Sequence, residues 1–217
     1  MARRPCQKRK IITEISVTGS VNNIGDLADS DTRSADNPEQ QIALYLDLIR
    51  HWNTAYSLVS LNDVLHKLHD HVTDSLSLLP YLPKVNSHLD IGSGGGFPGI
   101  PIAIYRPLQK IVLNDRSRNK CRFLREVKAH LKLHNVIVVE QDIREPNPAG
   151  TRFKSITIRS VARPTQAWLL ARSHLHEDGS VFLQTSVELS DVALENGRID
   201  KVFQTERGLI TKVGLVN

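Results

Sequence analysis

The 217-residue chain predicts an α/β protein, an open, doubly wound, Rossmann-like sheet preceded by a small helical cap. Three observations carry that prediction. A glycine-rich turn follows a short apolar run in residues 88–104, HLDIGSGGGFPGIPIAI. Two later apolar runs, KIVLND (110–115) and NVIVVEQD (135–142), each end in an acid. Helical and strand periodicities then alternate as far as residue 185.

Composition narrows the class. A hydrophobic content of 40% supplies a core, and no apolar run approaches the roughly 20 residues that span a bilayer, so a soluble protein with no membrane partner is expected. Cys6 and Cys121 match no zinc or redox spacing, which points to a reducing, cytoplasmic compartment and to neither cysteine as a nucleophile. The net charge of +5 bears on partners more than on fold.

Residues 1–36 are polar, with Arg3, Arg4, Lys8, Arg9 and Lys10 ahead of a Ser, Asn and Asp-rich stretch, and read as a disordered arm. Its basic head is either a solvated tail or a contact for nucleic-acid phosphates. Glu14 interrupts the short apolar run 11–17, against a secretory signal; a mitochondrial presequence stays open. The cap, 37–82, starts with Asn37 and Pro38 as N-cap and first helical residue. Ile42, Tyr45, Leu46, Ile49, Trp52 and Tyr56 share one helical face, and Leu65, Leu68, Val72, Leu76 and Leu79 repeat the pattern up to Pro80. Both stripes need a surface, and the sheet of 83–217 is the expected one. The polar side of the second helix holds His66, His69, Asp70, His71 and Asp74. With no outside ligand identifiable, no metal is expected, and His71 oriented by Asp74 is the better candidate to face a substrate.

In the glycine turn two spacings overlap. Gly94, Gly96 and Gly99 fit a dinucleotide fingerprint, whereas Asp90, Gly92, Gly94 and Gly96 fit acid-x-Gly-x-Gly-x-Gly. A carboxylate at Asp90 would repel a pyrophosphate but tolerates the sulfonium and ammonium of S-adenosylmethionine, which favours the second. Asp115, about twenty residues on, stands where such folds bond a ribose diol. Asp90, Asp115 and Asp142 end successive strands, whose ends line one crevice; for each acid alone a helix N-cap is the competing reading.

In residues 116–133, Phe123, Leu124, Val127 and Leu131 form the buried side of a helix, opposite Arg118, Arg122, Arg125 and Lys132. That basic arc either tracks a nucleic-acid backbone or is a solvated face with Glu126 as its only acid. Residues 144–152 form a loop, 153–159 a fourth strand, 164–175 a helix closed by HEDG, and 179–185 a fifth strand.

HWNTAYSLVS (51–60), DHVTDSLSLLPYL (70–82), LDIGSGGGFPGIPIAI (89–104), KCRFLREV (120–127) and the strand ending in Arg159 together resemble the RsmG (GidB) family over about residues 40–185. The resemblance implies a class I S-adenosylmethionine-dependent methyltransferase fold and methylation of N7 of a guanosine in small-subunit ribosomal RNA, free or in a precursor particle; a monomer is expected. It implies cofactor contacts at Gly92, Phe97, Asp115, Ile143 (through its backbone), Arg144 and Arg159. Arg144 departs from the acid common in the family. Ser57–Ser60 replaces Asn-Leu-Thr-Ser, Asp70 replaces an Arg, and Thr185 and Ser186 replace Lys-Gly. Losing Lys and Arg there would remove phosphate contacts. Guanine N7 offers an in-plane lone pair, so no general base is needed and no catalytic residue is assigned; positioning is the expected device. The rival expectations are a degenerate, non-catalytic RNA-binding relative and an NAD-dependent oxidoreductase.

Overall fold

The structure, a computed structural model, describes residues 37–145, 150–159, 162–185, 189 and 194–216. The expected arm 1–36 lies outside the described residues.

Five parallel strands form the heart of the protein: β1 (Ser87–Ile91), β2 (Lys110–Asp115), β3 (Val136–Glu140), β4 (Phe153–Arg159) and β5 (Leu175–Thr185). β2 is buried from Ile111 to Asp115 without alternation, as a strand covered on both faces must be. Two strands unread in the sequence, β6 (Gly197–Thr205) and β7 (Gly208–Leu215), complete the order β3-β2-β1-β4-β5-β7-β6, with β7 antiparallel to both neighbours. Strand order reverses between β1 and β4, so their carboxyl ends open a crevice.

α1 (Pro38–Tyr56) begins as the sequence predicts, with the Asn37 side chain accepting from the Glu39 amide at 2.8 Å. Its stripe and that of α3 (Leu68–Leu76) pack chiefly on α4 (Gly99–Tyr105) and α5 (Arg118–His130), not on the strands. α4 is apolar all round because it lies between that layer and the sheet. Cap helices and sheet thus share one core.

Three expectations change. The second cap helix is two helices: Ser60 caps a short α2 (Leu61–His66), and the backbone at Lys67, φ −129°, starts α3 on a new axis. That break takes Leu65 off the buried stripe and leaves it 65% exposed. HEDG belongs to β5, which starts at Leu175 opposite Phe153 through an irregularity in the pairing. Gly179 permits it, since a Cβ there would come within 2.8 Å of the Phe153 carbonyl oxygen. α6 (Pro164–Arg172) therefore ends earlier than expected. Among the described residues no helix is long and apolar enough to cross a membrane.

Candidate active site

At the crevice between β1 and β4 opens a cavity of about 600 Å³, within the usual range for cofactor sites. The ends of β1 to β4 and their loops supply one wall, including Gly92, Gly94, Asp115, Asp142, Ile143 and Arg144. The segment from α1 to α3 supplies another, with Leu58, Val59, Asp63 and His71. Phe97 and Arg159 also line it.

The glycine loop is held from two sides. Asp115 Oδ2 accepts from the Gly94 amide at 2.9 Å while Oδ1 accepts from Ser117 N at 2.8 Å. The Tyr45 hydroxyl, buried on α1, donates to the Gly95 carbonyl at 2.6 Å. Burial raises the Tyr45 pKa well above its usual value, which keeps it a donor. Gly96 has φ +99°, and a Cβ on it would stand 2.7 Å from Ile100 and 2.8 Å from Tyr45 Oη, so this turn requires glycine.

Asp90 and Gly96 do not line the cavity. At its strand end Asp90 can either order the loop or face a cationic ligand; strand alternation turns it away from the cavity to the first role, where Oδ2 accepts from Gly99 N (3.2 Å) at the start of α4 and Oδ1 accepts from Thr157 Oγ1 (2.9 Å). The same threonine oxygen is 2.8 Å from His88 Nε2, and His88 Nδ1 is 2.9 Å from Ser155 Oγ. With Asp90 ionised, protons order along this chain from Ser155 through His88 and Thr157 to the carboxylate. Burial pushes His88 down to about 3 and Asp90 up to about 6. Gly96 lies behind the wall, against Tyr45 and Leu124.

Arg159 is the hub of the contacts between the end of β4 and the cap helix α3. Its Nη1 donates to Asp74 at 3.2 Å, its Nη2 donates to His71 Nδ1 at 3.3 Å, and its guanidinium stands 5.4 Å from the Phe97 ring centre. An arginine can only donate, so His71 Nδ1 accepts and the neutral ring carries its proton on Nε2, 3.5 Å from Asp63 Oδ2. Burial, then Arg159, lower the His71 pKa. Asp74 orients Arg159, not His71 as the sequence suggested.

Elsewhere the predicted residues divide. Asp142 accepts from the Arg144 amide and guanidinium, which holds its carboxyl well below the usual range, so Arg144 is turned back on its neighbour. The Ile143 carbonyl accepts from His174 Nε2 at 2.9 Å. Arg118 and Arg122 are exposed on α5 and outside the cavity wall, and Arg125 pairs with Glu140 at 3.1 Å, an acid the helix pattern could not reveal. Leu58 and Val59, within the departing segment Ser57–Ser60, line the wall, whereas sequence reasoning missed Asp63, Arg116 and Lys120 there and Tyr45 behind it. Lys120, in the first turn of α5, reaches the glycine loop, its Nζ 3.9 Å from where a Cβ on Gly94 would stand, a contact no local spacing signals.

This architecture recurs among solved structures. The ribosomal protein L11 methylase from Lactobacillus delbrueckii subsp. bulgaricus superposes with a TM-score of 0.55 at 16% identity, covering 69% of this chain and 80% of that one. A point mutant of MtNAS in complex with S-adenosylmethionine gives 0.57 at 13%, covering 83% and 76%. At such identities the likeness concerns the fold. Sequence relatives reach further. The ribosomal RNA small subunit methyltransferase G of Burkholderia cenocepacia is 31% identical over 94% of this chain and 89% of its own length. That of Coxiella burnetii is 34% identical over 69% and 72%. The family model described as rRNA small subunit methyltransferase G spans residues 38–204, from the first turn of α1 to the end of β6, and with it every wall of the cavity: the chain belongs to the GidB family.

Proposed function

We propose that this protein is an S-adenosylmethionine-dependent methyltransferase that methylates N7 of a guanosine in small-subunit ribosomal RNA. The carrying observation is the cavity's combination of a pinned glycine loop beside Asp115 with an acceptor wall that offers no ready base. His71, the imidazole in that wall, has its Nδ1 lone pair engaged by Arg159 and its Nε2 protonated. The Asp63 carboxyl is held below its usual value, which makes it a weak base. Such a site suits an acceptor with a free lone pair and no proton to lose.

S-adenosylmethionine fits the residues present: the cavity has room, Asp115 keeps acceptor capacity on both oxygens for a ribose diol, and the glycine loop offers close backbone approach. Gly92, Gly94, Phe97, Asp115, Asp142, Ile143, Arg144 and Arg159 would hold it. When bound it supplies a methyl carbon on a sulfonium sulfur, which N7 takes through its lone pair while the carbon–sulfur electron pair stays on sulfur. The chain's own part is positioning and exclusion of water, a contribution that reaches roughly 7–11 kcal/mol in well-oriented systems. His71 belongs to the substrate side, and Arg118 and Arg122 to the RNA approach. The enzyme acts in the cytoplasm as a monomer, needs no metal for a direct displacement, and takes ribosomal RNA or a precursor particle. Family membership sets aside the oxidoreductase reading.

The test is transfer of labelled methyl from S-adenosylmethionine to small-subunit ribosomal RNA or precursor particles, with the nucleoside identified by mass spectrometry. 7-Methylguanosine is expected, and Asp115→Ala should weaken cofactor binding at least tenfold by calorimetry. Cofactor binding without transfer would favour the non-catalytic reading, and unchanged affinity in the variant would remove Asp115 from the site.

A further inference from the structure

Three carboxylates line the cavity, and among the described residues Asp63 is the one that no backbone amide or guanidinium engages. Asp115 serves Gly94 and Ser117, and Asp142 serves Arg144. Asp63, one turn into α2, has its nearest cations, Lys67 Nζ and His71 Nε2, at 4.0 and 3.5 Å. Lys67 is beyond hydrogen-bond distance, the Ser60 hydroxyl beside the carboxyl lowers its pKa, and His71 Nε2 is a buried atom without a hydrogen bond of good geometry among the described residues. Ser60 fixes the start of this helix by accepting from the Asp63 amide at 3.1 Å, so the carboxylate projects from a defined backbone. Leu58 and Val59 beside it offer apolar surface to a base.

We propose that Asp63 is the residue that selects guanine, its two oxygens accepting from N1–H and the 2-amino group of the flipped base. The inference rests on the guanine-N7 reading and extends it. A carboxylate presents two parallel acceptors. Among the four bases guanine alone presents two adjacent donors on its pairing edge; adenine, cytosine and uracil each place an acceptor next to their donor, which a carboxylate repels. N7 lies on the opposite edge of the purine, so this grip leaves it open to the cofactor side. Methylation at N7 also leaves positive charge on the purine, which strengthens N1–H as a donor. Asp63 therefore holds the base more tightly as the reaction proceeds, the condition for raising kcat. The neutral imidazole of His71 stands against the inner side of the carboxylate without competing for it as a cation would.

The experiment uses a small-subunit ribosomal RNA fragment with either guanosine or inosine, which lacks the 2-amino group, at the methylated position. Wild type should lose about 10- to 100-fold in kcat/KM on inosine, and a similar share of its affinity in fluorescence anisotropy without cofactor. Asp63→Ala should lose about as much on guanosine and no longer distinguish the two RNAs, with cofactor affinity by calorimetry unchanged. Asp63→Asn, close to isosteric, reports the same comparison if the alanine variant folds poorly. A variant that keeps the full preference for guanosine overturns the assignment and leaves N7 transfer standing. Absence of N7 transfer by wild type overturns both.

Discussion

Burial holds the Asp90 pKa at about 6, against 3.8 for an ordinary aspartate. A carboxyl whose folded value is raised stabilises the folded chain while protonated; that contribution is complete below the unfolded value and is lost as pH rises through about 6. At 1.36 kcal/mol per unit it amounts to roughly 3 kcal/mol. Asp90→Asn has no such titration, so wild type minus variant in urea unfolding free energy should fall by roughly 2–3 kcal/mol between pH 4 and 7.5. A flat difference would place the titration elsewhere. The ionised carboxylate accepts from the Gly99 amide and the Thr157 hydroxyl at once. Asp70, where an arginine is usual in the family, has a different explanation: it pairs with Arg207, in the turn between β6 and β7, at 2.6 Å. Both groups are about two-fifths exposed, so the pair adds little to stability, and the positive charge absent at position 70 is supplied beside it by the β6–β7 turn.

On the scale of single elements, α5 shows what helical periodicity conveys and what it omits. Its apolar face, Phe123, Leu124 and Val127, is wholly buried as the spacing predicts. The basic arc opposite is shortened by tertiary pairing, since Arg125 meets Glu140 of β3. Arg118 and Arg122 keep the exposure an RNA backbone contact needs. Replacing both by alanine should weaken binding to ribosomal RNA and reduce the slope of log affinity against log salt by about 1–2; an unchanged slope would make the arc a solvated face. α2 is the converse case. It buries none of its side chains, and its worth to the molecule is the presentation of Asp63.

Across the whole molecule, helix α1 and the glycine loop are joined through Tyr45 and Gly95, fifty positions apart. The tyrosine counted as one more apolar residue on a helical stripe, yet its hydroxyl fixes the loop and its ring lies 5.2 Å from that of Phe97. Tyr45→Phe preserves packing and leaves the Gly95 carbonyl without this buried donor, at a cost of about 1–3 kcal/mol. Cofactor affinity should fall several-fold in calorimetry; an unaltered affinity would confine Tyr45 to the core.

The alternation of apolar strands with amphipathic helices, the glycine turn and the acids at strand ends were all legible in the sequence, because each depends on a local period or on a backbone conformation that few residues adopt. Family motifs also placed Phe97, Asp115 and Arg159 at the crevice. The direction in which each acid points was not legible: Asp90 faces the core, Asp115 bridges two loops and Asp142 closes on Arg144, and these outcomes depend on pleat and on partners brought from other elements. The same holds for the break at Lys67, the antiparallel β7, and the union of Asp63, His71, Asp74 and Arg159 at one wall. Local periodicity determined the elements; only the packing of elements distant in sequence decided which side chains meet, because those contacts form when the chain folds back on itself.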